Sequence, residues 1–223
     1  MKTAALIPCR TGSKGIHNKN FKEFNGKPLY EWTLEAAKES KLFDKIILSS
    51  DGGFHIHGGT KDIIVDNKRP EKYSTDEASL DDLLVYYAKE FPDIELWCLL
   101  QPTSPLRTGK DILKAYKKIS KEKYDSLVSV TKGTCMYWIE NAVGVKGENL
   151  PIATYHIHKR PNRQDRIGWY RENGAIYFTK RYCLEQASCR LSGKIALFKM
   201  PEARSFEIDT PLDWKICEFL GGK

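Results

Sequence analysis

The chain has 223 residues, of which 41% are apolar and 29% charged, and it carries a formal net charge of +7. That length suffices for one α/β domain with a sizeable core and a modest excursion, without disulfide or metal staples. No apolar run approaches the roughly 18 residues of a membrane span and the N-terminus has no signal-peptide pattern, so a cytoplasmic protein is expected. The positive charge suits an anionic partner, whether nucleotide, nucleic acid or acidic sugar. Basic residues are spread along the chain with no single-sign block, which favours small anions over a polymer, and neither nucleic acid nor membrane is expected as a partner. The six cysteines, Cys9, Cys98, Cys135, Cys183, Cys189 and Cys217, form no CxxC pair. They read as reduced, mostly structural thiols.

In chain order, the apolar run Ala4 to Ile7 predicts a first buried strand. It leads into Pro8-Cys9-Arg10-Thr11-Gly12-Ser13-Lys14-Gly15-Ile16-His17-Asn18-Lys19-Asn20. Gly12 and Gly15 let the backbone fold back and a ligand approach, while Arg10, Lys14 and Lys19 bring three cations into ten residues. The composition is that of a polyphosphate cradle, with a solvated basic loop as the alternative, and the spacing is neither GxxxxGK[ST] nor GxGxxG. A helix is predicted over Pro28 to Ser40 and strands over Lys45 to Leu48 and Ile63 to Val65. Between these strands, residues 52–59 hold four glycines with His55 and His57. They predict an irregular loop with exposed histidines in preference to a metal site. Ser79 precedes Leu80-Asp81-Asp82-Leu83-Leu84 as a helix N-cap would.

Glu95 to Leu100 predicts a fourth strand, with Gln101-Pro102-Thr103-Ser104-Pro105-Leu106-Arg107 just after its C-terminal end. Open parallel sheets bind ligands there, so this loop and the first should border one crevice. Gln101 can donate and accept hydrogen bonds, as a hydroxyl-rich sugar requires. Arg107 reads as structural, beside Thr108 as the cap of a helix over Lys110 to Ser120. After a strand at Asp125 to Val130, residues 132–168 show turn signals and no helical periodicity, predicting an inserted arm with a hairpin around Asn149. Glu172 to Phe178 returns to the sheet, with Asn173-Gly174 read as a turn. A short helix over Lys180 to Ala187 and a strand over Ile195 to Lys199 follow. In the last stretch, strand alternation over Phe206 to Asp209 would put Glu207 and Asp209 on one face, two hard oxygen ligands suited to Mg²⁺. Thr210, Pro211 and Asp213 form the start of a closing helix.

Four ordered blocks carry a resemblance. Ile7-Pro8-Cys9-Arg10 with Gly12-Ser13-Lys14-Gly15 and Lys19-Asn20, then Leu100 to Arg107, then Glu172-Asn173-Gly174-Ala175-Ile176-Tyr177, then Ile208-Asp209-Thr210-Pro211, are similar to the signature of the CMP-N-acylneuraminate cytidylyltransferases. The resemblance implies a Rossmann-like α/β fold of nucleotidyltransferase type, with a mostly parallel sheet flanked by helices and a protruding dimerisation arm. It implies a homodimeric enzyme that transfers CMP from CTP to the anomeric hydroxyl of a nonulosonic, sialic-type acid and releases pyrophosphate. The alternatives are another sugar nucleotidyltransferase or a non-catalytic nucleotide- or RNA-binding module.

Carried over residue by residue, the resemblance implies that Arg10 and Lys14 hold the triphosphate and act in catalysis with Asp209. Gly12, Ser13, Lys19 and Asn20 border the nucleotide, and Arg69 and Ser79 read the cytosine ring. Gln101 and, from the arm, Arg163 and Gln164 would hold the acidic keto sugar, the five-donor fork of Arg163 suiting a carboxylate. Mg²⁺, or Mn²⁺ in its place, would sit on Asp209 and Glu207. The chain departs from the family in having Glu207 where Asp is usual, Arg166-Ile167 where Leu-Pro is usual, and the glycine and histidine loop at 52–59.

Overall fold

Thr3–Cys9 contains no charged residue and forms β1, every residue of which is buried. A strand covered on both faces belongs in the interior of a parallel sheet. In this computed structural model, which describes residues 1–13, 15–52, 60–75, 77–121, 123–133, 136–143, 149–162, 164 and 168–222, β1 holds that place. The chain divides into two compact units, residues 1–130 with 172–223, and residues 131–171.

After β1 come the short strands β2 (Glu23–Phe24) and β3 (Lys27–Pro28), paired antiparallel around Asn25-Gly26. Both turn residues have positive φ, 47° and 88°, which an Asn-Gly pair tolerates in a tight hairpin. Helix α1 spans Leu29–Ser40, β4 Lys45–Ser50, β5 Ile63–Asp66, α2 Leu80–Glu90, β6 Leu96–Leu99 and α3 Gly109–Lys121. Strand β7 covers Ser126–Lys132, β8 Trp138–Val143, β9 Asn149–Ala153 and β10 Tyr170–Lys180. Helix α4 is Arg181–Ala187, β11 Ile195–Lys199 and α5 Pro211–Gly221.

The seven-stranded sheet runs β11-β7-β10-β6-β1-β4-β5. Strand β1 is parallel to both β4 and β6, β5 to β4 and β11 to β7, while β10 is antiparallel to β6. The chain builds outward from β1 through β4 to β5, then crosses to the other side of β1 for β6. Such a reversal opens a crevice at the carboxyl ends of the strands. One core cluster joins Ala5, Ile7 and Cys9 with Ala36 and Ala37 of α1 and Ile112, Ala115 and Ile119 of α3. By alternation Leu6, Ile47 and Ser49 face the other way, and α2 covers that side, its Tyr87 reaching Ser49.

The predicted strands and helices fall within about two residues of these bounds, with three corrections. Asn173-Gly174 is no turn between elements but lies inside β10, although Gly174 keeps a positive φ of 64°. Phe206 to Asp209 is extended without joining a sheet: its Ile208 amide bonds the Thr103 carbonyl at 2.8 Å, and among the described residues no strand pairs with it. The hairpin in the second unit is formed by β8 and β9, with Asn149 opening β9. The residues between them lie outside the described ones, as do Cys135, His55, His57, Arg166 and Ile167. Of the described cysteines, Cys9, Cys98, Cys183 and Cys217 are buried and all are free thiols; burial pushes Cys217 up to about 12. Among the described residues no helix is long and apolar enough to cross a membrane.

Candidate active site

A cleft of about 490 Å³ opens at the carboxyl ends of β1, β5 and β6. Arg10, Ser13, Gly15, Lys19 and Asn20 line it from the first loop, Arg69 and Tyr73 from the segment after β5, Gln101 and Thr103 from the loop after β6, and Glu207 and Asp209 from the stretch before α5.

The first loop is tied down at both ends. Thr11 donates from its amide and its hydroxyl to Asp51 Oδ2, at 2.8 and 2.9 Å, anchoring the loop to the end of β4. The buried Asn20 donates from Nδ2 to the Arg10 carbonyl at 2.9 Å, closing the loop on itself. Arg10 Nη1 donates to the Thr75 carbonyl at 3.1 Å. Lys19 Nζ donates to the Ile208 carbonyl at 2.6 Å and to Asp209 Oδ1 at 3.1 Å, so the N-terminal loop and the penultimate segment meet directly. An ideal Cβ on Gly15 would stand 2.2 Å from the Asp209 carbonyl oxygen. Glycine is required there because the two backbones touch.

Arg69 is buried in the opposite wall. Its Nε donates to Ser49 Oγ at 2.9 Å, Nη2 to the Ser49 carbonyl at 2.5 Å and Nη1 to the Tyr73 carbonyl at 3.4 Å. Burial lowers its pKa below the usual arginine value, partly offset by nearby groups including Asp51 and Asp66. Ser79 caps α2, its Oγ accepting from the Asp81 amide at 3.0 Å; its neighbours Ala78 and Leu80 line the cleft and Ser79 does not.

In the β6 loop, Gln101 Nε2 donates to the Gly174 carbonyl at 3.1 Å. Beneath it, the buried Arg107 donates to the carbonyls of Gln101 and Ala175, at 3.2 and 2.5 Å, and to Thr33 Oγ1 at 2.5 Å. Burial pulls its pKa down to about 10. These partners are the floor of the cleft and α1, which agrees with the structural reading of Arg107. Thr103 Oγ1 donates to Glu207 Oε1 at 3.0 Å. Glu207 in turn fills the space above Gly174, where an ideal Cβ would lie 2.6 Å from its carboxylate oxygen.

Asp209 is exposed and is followed by a complete capping box. Asp213 Oδ2 accepts from the Thr210 amide and hydroxyl, both at 2.8 Å, and from the Asp209 amide at 3.2 Å, while Thr210 Oγ1 accepts from the Asp213 amide at 3.3 Å. Partial burial opposes ionisation of Asp213, yet the Thr210 bonds outweigh it and hold the carboxyl below its usual range. Two carboxylates, Glu207 and Asp209, on the lining of this cleft fit the donor chemistry of Mg²⁺, which takes one or two carboxylates and completes its shell with water and phosphate oxygens. Among the described residues no three His, Cys, Asp or Glu side chains cluster into an all-protein metal cage.

The cleft therefore brings together Arg10, Ser13, Lys19, Asn20, Arg69, Gln101, Glu207 and Asp209. Gly12 is exposed, with open space around it. Lys14 and Arg163 lie outside the described residues, and Gln164 is exposed in the 131–171 unit. Tyr73, Thr75 and Thr103 also line the cleft and were not singled out from the sequence. Only Thr103 carried a signal, as a member of the Gln101 to Arg107 block.

The signature of a family described as cytidylyltransferase matches residues 4–218. The chain is 32% identical over 219 residues to N-acylneuraminate cytidylyltransferase A of Danio rerio, covering 96% of this chain and 50% of that protein. It is 31% identical over 222 residues to the N-acylneuraminate cytidylyltransferase of Escherichia coli O18:K1:H7, covering 97% and 51%. It thus spans about half the length of these relatives. Many solved structures share the fold, and two serve for comparison. One is a CMP:2-keto-3-deoxy-manno-octonic acid synthetase complexed with CTP, with TM-score 0.65 and 16% identity over 100% of this chain and 99% of that one. The other is a 2-C-methyl-D-erythritol 4-phosphate cytidylyltransferase from Thermus thermophilus, with TM-score 0.65 and 17% identity over the whole of both chains.

Proposed function

The chain belongs to the cytidylyltransferase family, and from that premise we propose that it transfers CMP from CTP to the anomeric hydroxyl of a nonulosonic acid of sialic type, releasing pyrophosphate. The observation that carries the reading is the meeting of the first loop with Asp209 in one cleft at the switch point of the sheet. The named relatives supply the sugar class.

The chemical task is in-line attack on the α-phosphorus, which needs reactants aligned and charge neutralised more than a covalent nucleophile. Arg10, Ser13 and Lys14 hold the phosphate chain and the departing pyrophosphate, and Asn20 keeps the loop in shape from below. Lys19 neutralises part of the charge at Asp209 and fixes where that carboxylate stands. Arg69 reads the base from the wall after β5, and Gln101 receives the sugar hydroxyls on the side of Gly174. Asp209 and Glu207 would hold Mg²⁺, which when bound withdraws charge from the phosphate oxygens.

The 131–171 unit completes the proposal as the dimer contact, reaching across to a second copy of the chain so that Arg163 and Gln164 serve the acidic sugar in the neighbouring site. It is supported by the exposed Trp138, Ile139 and Ile152 of the hairpin, large apolar side chains that a partner surface would cover.

The test is pyrophosphate release from CTP with Mg²⁺ and a panel of acidic keto sugars of eight and nine carbons. Turnover with a nine-carbon acid, lost in Asp209→Ala, is expected. Turnover confined to an eight-carbon acid or a sugar phosphate would assign a different cytidylyltransferase, and release unaffected by Asp209→Ala would remove the catalytic assignment.

A further inference from the structure

Behind the cleft wall, Arg69 is gripped by one residue through two atoms, the hydroxyl and the carbonyl of Ser49. Ser49 is itself held from α2. Its Oγ lies 2.7 Å from the Tyr87 hydroxyl oxygen, which lies 2.5 Å from Asp66 Oδ2. A tyrosine hydroxyl has one hydrogen, and Asp66 as a carboxylate can only accept. Tyr87 therefore donates to Asp66, Ser49 donates to Tyr87, and the lone pairs of Ser49 face Arg69 Nε. The hydrogen bonds run in one direction, each polarising the next.

Asp66 also governs the approach to Arg69 along the chain. Its Oδ1 accepts from the Lys68 amide at 2.8 Å, and the Arg69 amide bonds the Ser50 carbonyl at 3.1 Å. One carboxylate thus shapes the turn leading to the arginine and, through Tyr87 and Ser49, steadies its guanidinium. Tyr87 is almost fully buried, and for packing alone phenylalanine would fill the same space. Burial raises its pKa well above the usual tyrosine value, with Asp66 adding to the rise, so the hydroxyl keeps its proton across the range in which proteins fold.

We infer that Tyr87 and Asp66 are positioning residues for nucleobase recognition, acting through Ser49 to fix the guanidinium of Arg69 in the cleft wall. This rests on the reading of Arg69 as the base-recognising residue. Three bonds from described residues occupy part of the five-donor fork; the outer donors then meet a ring carbonyl and ring nitrogen at one fixed angle. A loosened arginine still offers positive charge to any nucleotide but no longer a geometry specific to cytosine.

The test is equilibrium binding of CTP and UTP, without sugar, to the wild type and to Tyr87→Phe, Ser49→Ala and Tyr86→Phe. Wild type should prefer CTP. Tyr87→Phe and Ser49→Ala, each of which removes two hydrogen bonds of the chain, should weaken CTP about tenfold, which is about 1.4 kcal/mol, and UTP by less than about threefold. Tyr86→Phe, outside the hydrogen-bond chain, should keep the wild-type preference. A merely structural Tyr87 would lower Tm in Tyr87→Phe and leave the CTP-to-UTP ratio untouched; that result overturns the inference, as does a wild type indifferent to the base. Should Tyr87→Phe not fold, Ser49→Ala decides by the same ratio. Absence of pyrophosphate release in the separate transfer assay would sink the proposed reaction without touching this binding result.

Discussion

Lys19 and Asp209, 190 positions apart in the chain, stand 3.1 Å apart across the mouth of the cleft. The lysine is nearly buried, at 11% side-chain exposure, while the aspartate is 68% exposed. An ion pair with one partner so open to water contributes little to stability by itself. The shorter bond from Lys19 to the Ile208 carbonyl holds the segment in place, and the second bond meets the carboxylate at the rim.

Lys19→Ala is accordingly expected to cost about 1–2 kcal/mol of stability, mostly through the orphaned Ile208 carbonyl. CTP turnover should fall more than tenfold, since Asp209 loses both its neighbour and its support. Thermal unfolding and pyrophosphate release measured on one preparation check this; full activity in the variant would separate Lys19 from the reaction.

The two glycines of the first loop should behave oppositely. Gly15→Ala must push backbone apart, because its Cβ meets a carbonyl oxygen and not the end of a flexible side chain; a loss of about 1–3 kcal/mol and a raised KM for CTP are expected. Gly12 has nothing within 4 Å of its would-be Cβ, and Gly12→Ala should leave the melting temperature unchanged. Equal effects at the two positions would contradict this packing.

Acid sensitivity should be traceable to Asp125. Its carboxylate accepts from the Tyr182 hydroxyl, from the Lys194 amide at 2.8 Å and from Lys180 Nζ at 3.2 Å, which together pull its pKa from 3.8 down to about 2. A carboxyl lowered in the folded state contributes stability that is whole above its unfolded value and disappears as pH falls through the folded one. Between about pH 4 and pH 2 the wild type should lose stability more steeply than Asp125→Asn, as read from denaturant midpoints across that window.

If the hairpin of the second unit is covered by another copy of the chain, charged residues there should dissociate the assembly. Ile139→Asp with Ile152→Asp, at two exposed positions paired across β8 and β9, is expected to sediment as a monomer where the wild type sediments as a dimer. A monomeric wild type would end the dimer proposal.

Much of this site was legible because its signals are local. Gly12-Ser13-Lys14-Gly15 after an apolar run announces a turn at a strand end, and Thr210-Pro211-Leu212-Asp213 spells a helix start that the structure forms in full. Phe206 to Asp209 misled because alternation reports which residues are covered and not what covers them. Ile208 is buried between half-buried Glu207 and exposed Asp209, as a strand would have it, while the backbone partner is a loop carbonyl. Asn173-Gly174 misled for a related reason: the glycine keeps a turn-like φ, but Asn173 is buried inside the strand, its amide group bonded to Ser129 and Ser205. The link from Asp66 through Tyr87 and Ser49 to Arg69 is a matter of three segments converging, and no spacing in the chain encodes it.

Arg107 ties together pieces that lie far apart in the chain: helix α1, the loop after β6, and strand β10 about seventy residues further on. No lysine has the reach in three directions to replace it. The wall around Gln101 therefore has no easy way to open by itself, since lifting it would strand a guanidinium in the interior. Amide protons around Gln101 and Ala175 should exchange only when the whole sheet unravels, and adaptation to differently sized substrates must come from the rim, where the first loop and the stretch before α5 lean on each other.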